Sequence, residues 1–165
     1  MLVSAITIAS SAGIAAPQPS TPPKPAEEIQ LEQFLADKDS PIPADTLFQY
    51  PNWKTILAVA NAESGYGLHM AGAYNAWGIV DFQPGSKRYG KTRSFASWDE
   101  SLAYTSTLLF KYDTTDGMPD PLAMVARWKY QRPFTGWLAN VNYALHDIDV
   151  HTTVDVAAGT NTSLL

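Results

Sequence analysis

The chain has 165 residues, of which 45% are hydrophobic and 16% are charged, and these proportions are typical of one globular domain rather than a disordered protein. Its formal net charge of -5 disfavours a general nucleic-acid binder, which would carry a basic surface. Because the chain contains no cysteine, disulfides, thiol catalysis and cysteine-ligated zinc are excluded.

The N-terminal part differs in composition from the rest of the chain. Residues 2–16 are apolar or small and uncharged, which is typical of the hydrophobic part of an export signal. The basic residues that usually precede such a stretch are missing, and a short buried helix or strand is the alternative. We expect four parts along the chain: a signal peptide or membrane-directing segment (1–16), a proline-rich linker (17–25), a folded domain (26–153) and a flexible tail (154–165).

The folded part has the patterning of a mainly helical domain. Apolar spacing and capping residues predict five helices, at 27–36, 52–64, 97–112, 119–130 and 134–148. Two extended-looking runs around a Pro-Gly pair, 77–82 and 89–95, predict a small hairpin. The predicted fold class is therefore mainly α with a small β-hairpin element, an α+β architecture.

Glu63 lies near the C-terminal end of the second predicted helix. It follows Ile56 by seven residues and therefore shares the apolar face that Ile56 and Ala60 define. A carboxyl at this place is partly desolvated, and the C-terminal end of the helix dipole also disfavours a negative charge. Both effects favour the protonated form that a general acid needs. The alternative is an ordinary helix-end glutamate that points to water.

Several short runs around Glu63 resemble those of a known family. Residues 62–67 read AESGYG, residues 74–79 read YNAWGI, and residues 95–102 read FASWDESL at the start of the next predicted helix. Together they resemble the lysozyme-like superfamily, and most closely the bacterial cell-wall glucosaminidases and muramidases. Residues 137–143, WLANVNY, are similar to the late helix that closes the groove in that family. The resemblance spans about residues 52–148.

The resemblance implies a lysozyme-like fold and cleavage of the β-1,4 bonds of peptidoglycan glycan strands, with Glu63 as the general acid. It also implies substrate contacts from the two motifs and the late helix, at Ser64, Tyr66, Gly67, Tyr74, Asn75, Trp77, Gly78, Ile79 and Trp137. For each aromatic side chain, packing in the core is the alternative to stacking on a sugar ring.

The second catalytic group has more than one candidate. The candidate carboxylates are Asp81, Asp99 and Asp113. Asp81 is expected to act as base or nucleophile, because the predicted hairpin should face the cleft, while Asp99 is better explained as a helix-start acid that complements the dipole. Some family members use a tyrosine beside the acid, and Tyr143 is the candidate for that role. The N-acetyl group or the 6-hydroxyl of the substrate itself are further alternatives.

A different motif overlaps the predicted hairpin. Residues 85–92, GSKRYGKT, match G-x-x-x-x-G-K-[ST], the phosphate-binding loop pattern. Such a loop needs a helix that begins at the Lys-Thr pair, whereas the capping pattern of Ser97 and Glu100 starts the next helix five residues later. We therefore expect no nucleotide binding and interpret the basic residues as a solvated hairpin that attracts the anionic cell wall.

The remaining patterns predict neither a metal nor a cofactor. The three histidines, His69, His146 and His151, have no zinc-ligand spacing, and no aspartate cluster is typical of a calcium site. The expected partner is peptidoglycan, with no nucleic acid and with a membrane or envelope tether through the N-terminus. The leading hypothesis is an exported peptidoglycan glycosidase, and the alternative is a non-catalytic glycan-binding module of an envelope or a virion on the same fold.

Overall fold

The structure is a computed structural model that describes residues 23–81, 90–112, 120–128 and 133–153. Within these residues it contains six helices and one two-stranded sheet. The predicted class, mainly helical with a small β element, is confirmed. The helices are α1 (Ala26–Asp37), α2 (Ala44–Phe48), α3 (Trp53–Ser64), α4 (Trp98–Phe110), α5 (Pro121–Trp128) and α6 (Thr135–Thr152), and the strands are β1 (Val80–Asp81) and β2 (Lys91–Thr92).

The predicted signal segment (1–16), most of the linker (17–25) and all of the tail (154–165) lie outside the described residues. In the part of the chain that is described, no helix has the length and hydrophobicity needed to cross a membrane.

Helix α3 forms the centre of the core. Its side chains at positions 56–60 have no exposed surface, because α6 packs on one side of the helix and α4 on another. Two buried hydrogen bonds between Asn52 and Ser106 join the start of α3 to α4. The Asn52 amide Nδ2 donates to the Ser106 carbonyl oxygen (3.0 Å), and Asn52 Oδ1 accepts from the Ser106 hydroxyl (2.8 Å). The position of α3 is thus set by its neighbours on both sides.

Helix α6 covers α3 and α1 and closes the bundle. One face of α6 is buried at spacings of three and four residues, at Trp137, Val141, Ala144 and Ile148. Two ion pairs support this packing: Lys38 Nζ lies 2.8 Å from Asp147 Oδ2, and Lys54 Nζ lies 2.8 Å from Asp149 Oδ1. Since these charged groups are partly exposed, apolar burial contributes more to the docking of α6 than the ion pairs do.

The backbone turns sharply at the C-terminal end of α3. Three consecutive residues adopt the left-handed conformation: Gly65 (φ 60°), Tyr66 (φ 60°) and Gly67 (φ 88°). The Tyr66 N–H donates to the carbonyl oxygen of Ala60 (3.2 Å) and so ends the helix. This conformation costs a tyrosine about 1–2 kcal/mol. The Tyr66 ring packs edge-on against Phe34 at 5.6 Å between centroids, and this burial offsets the cost.

The small sheet lies between α3 and α4 along the chain. Strands β1 and β2 pair antiparallel, with Val80 opposite Thr92 and Asp81 opposite Lys91. The predicted hairpin strands, 77–82 and 89–95, were too long, because each observed strand has only two residues. The extended pattern around Trp77 is misleading, since a turn at residues 75–79 carries this side chain into the core.

The helix predictions are confirmed, with shifts of a few residues at their ends, except that residues 119, 129 and 130 of the fourth predicted helix lie outside the described residues. The predicted cap of α4 is also present: Ser97 Oγ accepts from the Glu100 N–H (3.2 Å), and the Glu100 carboxylate accepts from the Ala96 N–H (2.7 Å). Helix α2 was not predicted, because its five residues are too few to show a helical period.

The phosphate-binding-loop pattern has its Lys-Thr pair in a strand. Lys91 and Thr92 form β2, and the next helix starts at Trp98, so no helix begins at this pair. A phosphate-binding loop requires that helix start, because the backbone N–H groups there point at the phosphate. Residues 85–89 of the pattern lie outside the described part of the chain.

Candidate active site

The Glu63 carboxyl lies in the last turn of α3 and is half-buried. Its Oε1 accepts a hydrogen bond from the indole Nε1–H of Trp137 on α6, at 2.5 Å. Trp137 is buried, so its ring is held by the surrounding core. A short bond from an immobilised donor restricts the rotation of the carboxyl group and gives it one orientation.

The other carboxyl oxygen of Glu63 faces Gly78. A Cβ added to Gly78 would lie 3.4 Å from Glu63 Oε2, and Gly78 itself is exposed. Its φ of 64° is in the left-handed region, which favours glycine. Glu63 is therefore bordered on this side by exposed backbone without a side chain, which lets a ligand approach closely.

Asn75 closes the turn that carries Gly78. The buried Asn75 amide Nδ2 donates to the carbonyl oxygens of Ile79 and Arg93, both at 2.8 Å. Its Oδ1 accepts from the Ile79 N–H at 3.0 Å. One side chain thus satisfies three backbone groups and links the turn to the residue that follows β2. The structure gives Asn75 contacts within the fold and places Ile79 in the core.

Ser64 joins the end of α3 to the same turn. Its Oγ lies 2.6 Å from the carbonyl oxygen of Ala76 and 3.0 Å from that of Ala60, and it accepts from the Gly67 N–H at 2.9 Å. Ser64 and Gly67 are both buried. The resemblance implied that these two residues contact substrate. In the structure their hydrogen bonds instead join the end of α3 to the turn that contains Ala76.

The two tryptophans of the candidate site use their indole N–H groups differently. Trp77 is buried in the core and donates to the carbonyl oxygen of Ile56 at 2.9 Å. Trp137 donates to a carboxyl instead. Trp77 therefore packs in the core and presents no ring face to a sugar, although the motif implied a place in the groove.

The two tyrosines of the motifs also have different environments. Tyr66 is 6% exposed, and its hydroxyl has no hydrogen-bond partner among the described residues. Burial raises the pKa of Tyr66, and the charges of Asp147 and Tyr143 raise it further. Tyr74 is 38% exposed, and its ring centroid lies 5.5 Å from that of Trp98. Of the two, Tyr74 is the one whose ring a ligand can reach.

Asp81 belongs to a charged cluster on the sheet. Its Oδ1 lies 3.8 Å from Arg93 Nε, and Arg93 Nη2 lies 3.6 Å from Glu100 Oε1. The Arg93 guanidinium is stacked on the rings of Phe95 (4.7 Å to the centroid) and Tyr104 (4.4 Å). The carboxylate of Asp81 is therefore exposed and partnered by a cation whose own position is set by two rings.

Tyr143 lies on α6 and is 63% exposed. It follows Trp137 by six residues, which places it about 120° around the helix from Trp137. The two side chains therefore do not share a face of α6. Among the predicted site residues, the structure brings Glu63, Gly78 and Trp137 together, with Ser64 and Asn75 supporting them.

The sequence did not predict the hydrogen bond between Trp137 and Glu63 or the ring contact between Trp98 and Tyr74. No local signal in the sequence connects residues that are 74 positions apart. In the described part of the chain, no group of three or more imidazole or carboxylate side chains is arranged to hold a metal ion.

Comparison of the chain with protein-family models, with curated proteins and with solved structures gave no significant match. A half-buried carboxyl, oriented by a buried donor and bordered by exposed backbone, has the features of a group that transfers a proton to or from a bound ligand.

Proposed function

We propose that the protein is an exported glycoside hydrolase that cleaves β-1,4 bonds in peptidoglycan glycan strands, with Glu63 as the general acid. The observation that supports this most directly is the orientation of the Glu63 carboxyl by the Trp137 indole, with Oε2 directed at Gly78. The resemblance of the flanking motifs to lysozyme-like enzymes supports the choice of substrate and the lysozyme-like fold.

The hydrogen bond from Trp137 distinguishes the two carboxyl oxygens. A carbonyl oxygen accepts a hydrogen bond better than the hydroxyl oxygen of the same acid, so the indole N–H favours a carbonyl at Oε1. The acidic proton of Glu63 is then carried by Oε2, on the side of Gly78. In this proposal the glycosidic oxygen approaches from that side and takes the proton as its bond to the sugar breaks.

The second step has three candidate groups, two of which lead to hydrolysis and one to an anhydro sugar. Asp81 would activate water or attack the sugar itself, and the substrate N-acetyl group would act through a cyclic intermediate that water opens. Attack by the sugar 6-hydroxyl would instead release an anhydro sugar, which is lighter than the hydrolysis product by one water. Mass spectrometry of the fragments therefore distinguishes attack by the 6-hydroxyl from the two hydrolytic routes, which give fragments of equal mass, and it also identifies the bond that is cleaved.

Glu63→Gln tests the proposal directly. The amide oxygen of glutamine still accepts from the Trp137 indole, so the variant is expected to be at least as stable as the wild type at pH 7. The acidic proton is lost, and we expect release of peptidoglycan fragments to fall by about 10²–10⁴-fold. The measurement is fragment release from purified peptidoglycan, together with a urea denaturation midpoint.

Asp99→Asn is the matched control, because Asp99 is an exposed carboxylate in the first turn of α4. This variant should cleave at close to the wild-type rate. Near wild-type cleavage by Glu63→Gln would remove Glu63 from the mechanism. A wild-type protein that binds peptidoglycan and releases no fragments would support the alternative, a non-catalytic glycan-binding module.

A further inference from the structure

Tyr74 combines two features that folding alone does not explain. Its φ of 53° is in the left-handed region, which bulky side chains rarely adopt, and 38% of its surface is exposed. Glycine or asparagine would adopt this backbone with less strain. Tyr66 has a similar φ, but its buried ring contributes to the core. Tyr74 is much less buried, so packing in the core does not explain why this strained position carries a tyrosine.

Trp98 gives the Tyr74 ring a rigid support. The planes of the two rings are 77° apart, with 5.5 Å between their centroids. Trp98 in turn packs edge-to-face on the buried Trp77, with 6.3 Å between centroids. Trp98 is also the first residue of α4, directly after the Ser97 cap. The two outer rings thus form a nearly right-angled corner that is joined to the core through Trp77.

The corner lies close to Glu63 along the chain. Tyr74 directly precedes Asn75, whose three hydrogen bonds hold the turn that ends at Ile79. Gly78, the residue that borders the Glu63 carboxyl, follows Tyr74 by four positions, which span at most about 14 Å. A glycan strand bound at Glu63 would therefore reach the corner within a few sugar units.

We propose that Tyr74, supported by Trp98, is a sugar-binding subsite for a unit of the glycan strand near the bond that is cleaved. The faces of a β-linked hexose carry C–H groups, which pack on an aromatic ring while the hydroxyls at the sugar's edge stay hydrated. The subsite rests on the proposed function, because that function supplies the glycan. It explains why an exposed, strained position carries a large aromatic side chain.

The test replaces the ring while relieving the strain. Tyr74→Asn, made in the Glu63→Gln protein so that the ligand is not cleaved, should bind chitotetraose and purified peptidoglycan about tenfold more weakly. Its urea midpoint should be equal to or higher than that of the parent, since asparagine tolerates the left-handed backbone. Tyr74→Phe keeps the ring and should bind within about twofold of the parent.

Phe110→Asn is the matched control. Phe110 is an exposed aromatic residue at the other end of α4, about 18 Å from Trp98 along the helix, and its replacement should leave binding unchanged. Unchanged binding by Tyr74→Asn would overturn the subsite, and so would a clear loss of stability in that variant, which would make the ring structural.

Failure of the subsite and failure of the proposed function give different results. If the wild type releases peptidoglycan fragments and Tyr74→Asn binds normally, the enzyme proposal holds and the subsite does not. If the wild type releases no fragments but binds chitotetraose through Tyr74, the subsite holds and the enzyme proposal does not. Absence of binding to both ligands would overturn both.

Discussion

The two sides of the turn at residues 74–79 differ in what they contact. On the inner side, Asn75 and Trp77 are buried, and their side chains donate hydrogen bonds to backbone carbonyl oxygens of the fold. On the outer side, Tyr74 and Gly78 are exposed, and Gly78 borders the Glu63 carboxyl. Residues that are neighbours in the sequence therefore divide between those that hold the turn together and those that are exposed beside Glu63, and a motif match alone does not separate the two groups.

The largest expected effect is on the inner side. Asn75→Ala should lower the free energy of unfolding by about 3 kcal/mol, because it leaves the buried backbone groups of Ile79 and the part-buried carbonyl oxygen of Arg93 without their partner. Asn61→Ala is the matched control, since the half-buried Asn61 makes one long hydrogen bond to the Asn140 carbonyl oxygen (3.4 Å) and should cost less than about 1 kcal/mol. Urea denaturation measures both. Equal losses would contradict the division of the turn into two sides.

A second expected effect compares the two indole donors. Trp137→Phe removes the donor to Glu63, and Trp77→Phe removes the donor to the Ile56 carbonyl oxygen. Each should cost about 1–2 kcal/mol of stability. Trp137→Phe should also lower kcat about tenfold per folded molecule, because the carboxyl loses its fixed orientation. Peptidoglycan cleavage, corrected for the folded fraction, is the measurement. If Trp77→Phe lowers kcat as much as Trp137→Phe does, the proposed special role of the Trp137 donor in orienting Glu63 is contradicted.

The smallest expected effect concerns Tyr66, whose buried hydroxyl has no partner among the described residues. Tyr66→Phe should be equally stable or more stable at pH 7, by up to about 1 kcal/mol. Burial raises the pKa of Tyr66, so the unfolded chain loses this proton first as the pH rises through about 10. The stabilising effect of the raised pKa is present below that pH and is lost above it.

The advantage of Tyr66→Phe should therefore grow between pH 9 and pH 11, as urea midpoints at both pH values would reveal. A constant difference would contradict a raised pKa. Tyr66 and Tyr74 both have a left-handed backbone, but Tyr66 is buried and Tyr74 is exposed. Together with the Tyr74 variants, this measurement tests that difference in burial.

Much of the fold could be predicted because its longer helices have clear local signals. Ser97 and Glu100 mark the start of α4, and Gly65 marks the end of α3. Helix α2 has five residues and offers no period to detect. The predicted strands are longer than the observed ones, because the extended-looking run at 77–82 predicts a strand from Trp77 onward although Asn75 closes a turn there.

The candidate site could be predicted only in part. The apolar face of α3 identified Glu63, since that signal lies within one helix. Its partner Trp137 could not be derived from local patterns, because the docking of α6 on α3 brings the two together. The different burial of Tyr66 and Tyr74 depends on the direction of two left-handed turns, which a pattern of residue types does not encode.

The separation of Glu63 from its donor also has a consequence for the order of synthesis. Helix α3 leaves the ribosome 74 residues before Trp137, which at typical elongation rates is roughly 4 to 15 seconds. During that interval the carboxyl has no indole to orient it, and the central helix has no α6 to cover it. Completion of the site therefore waits for α6 to emerge and dock on α3.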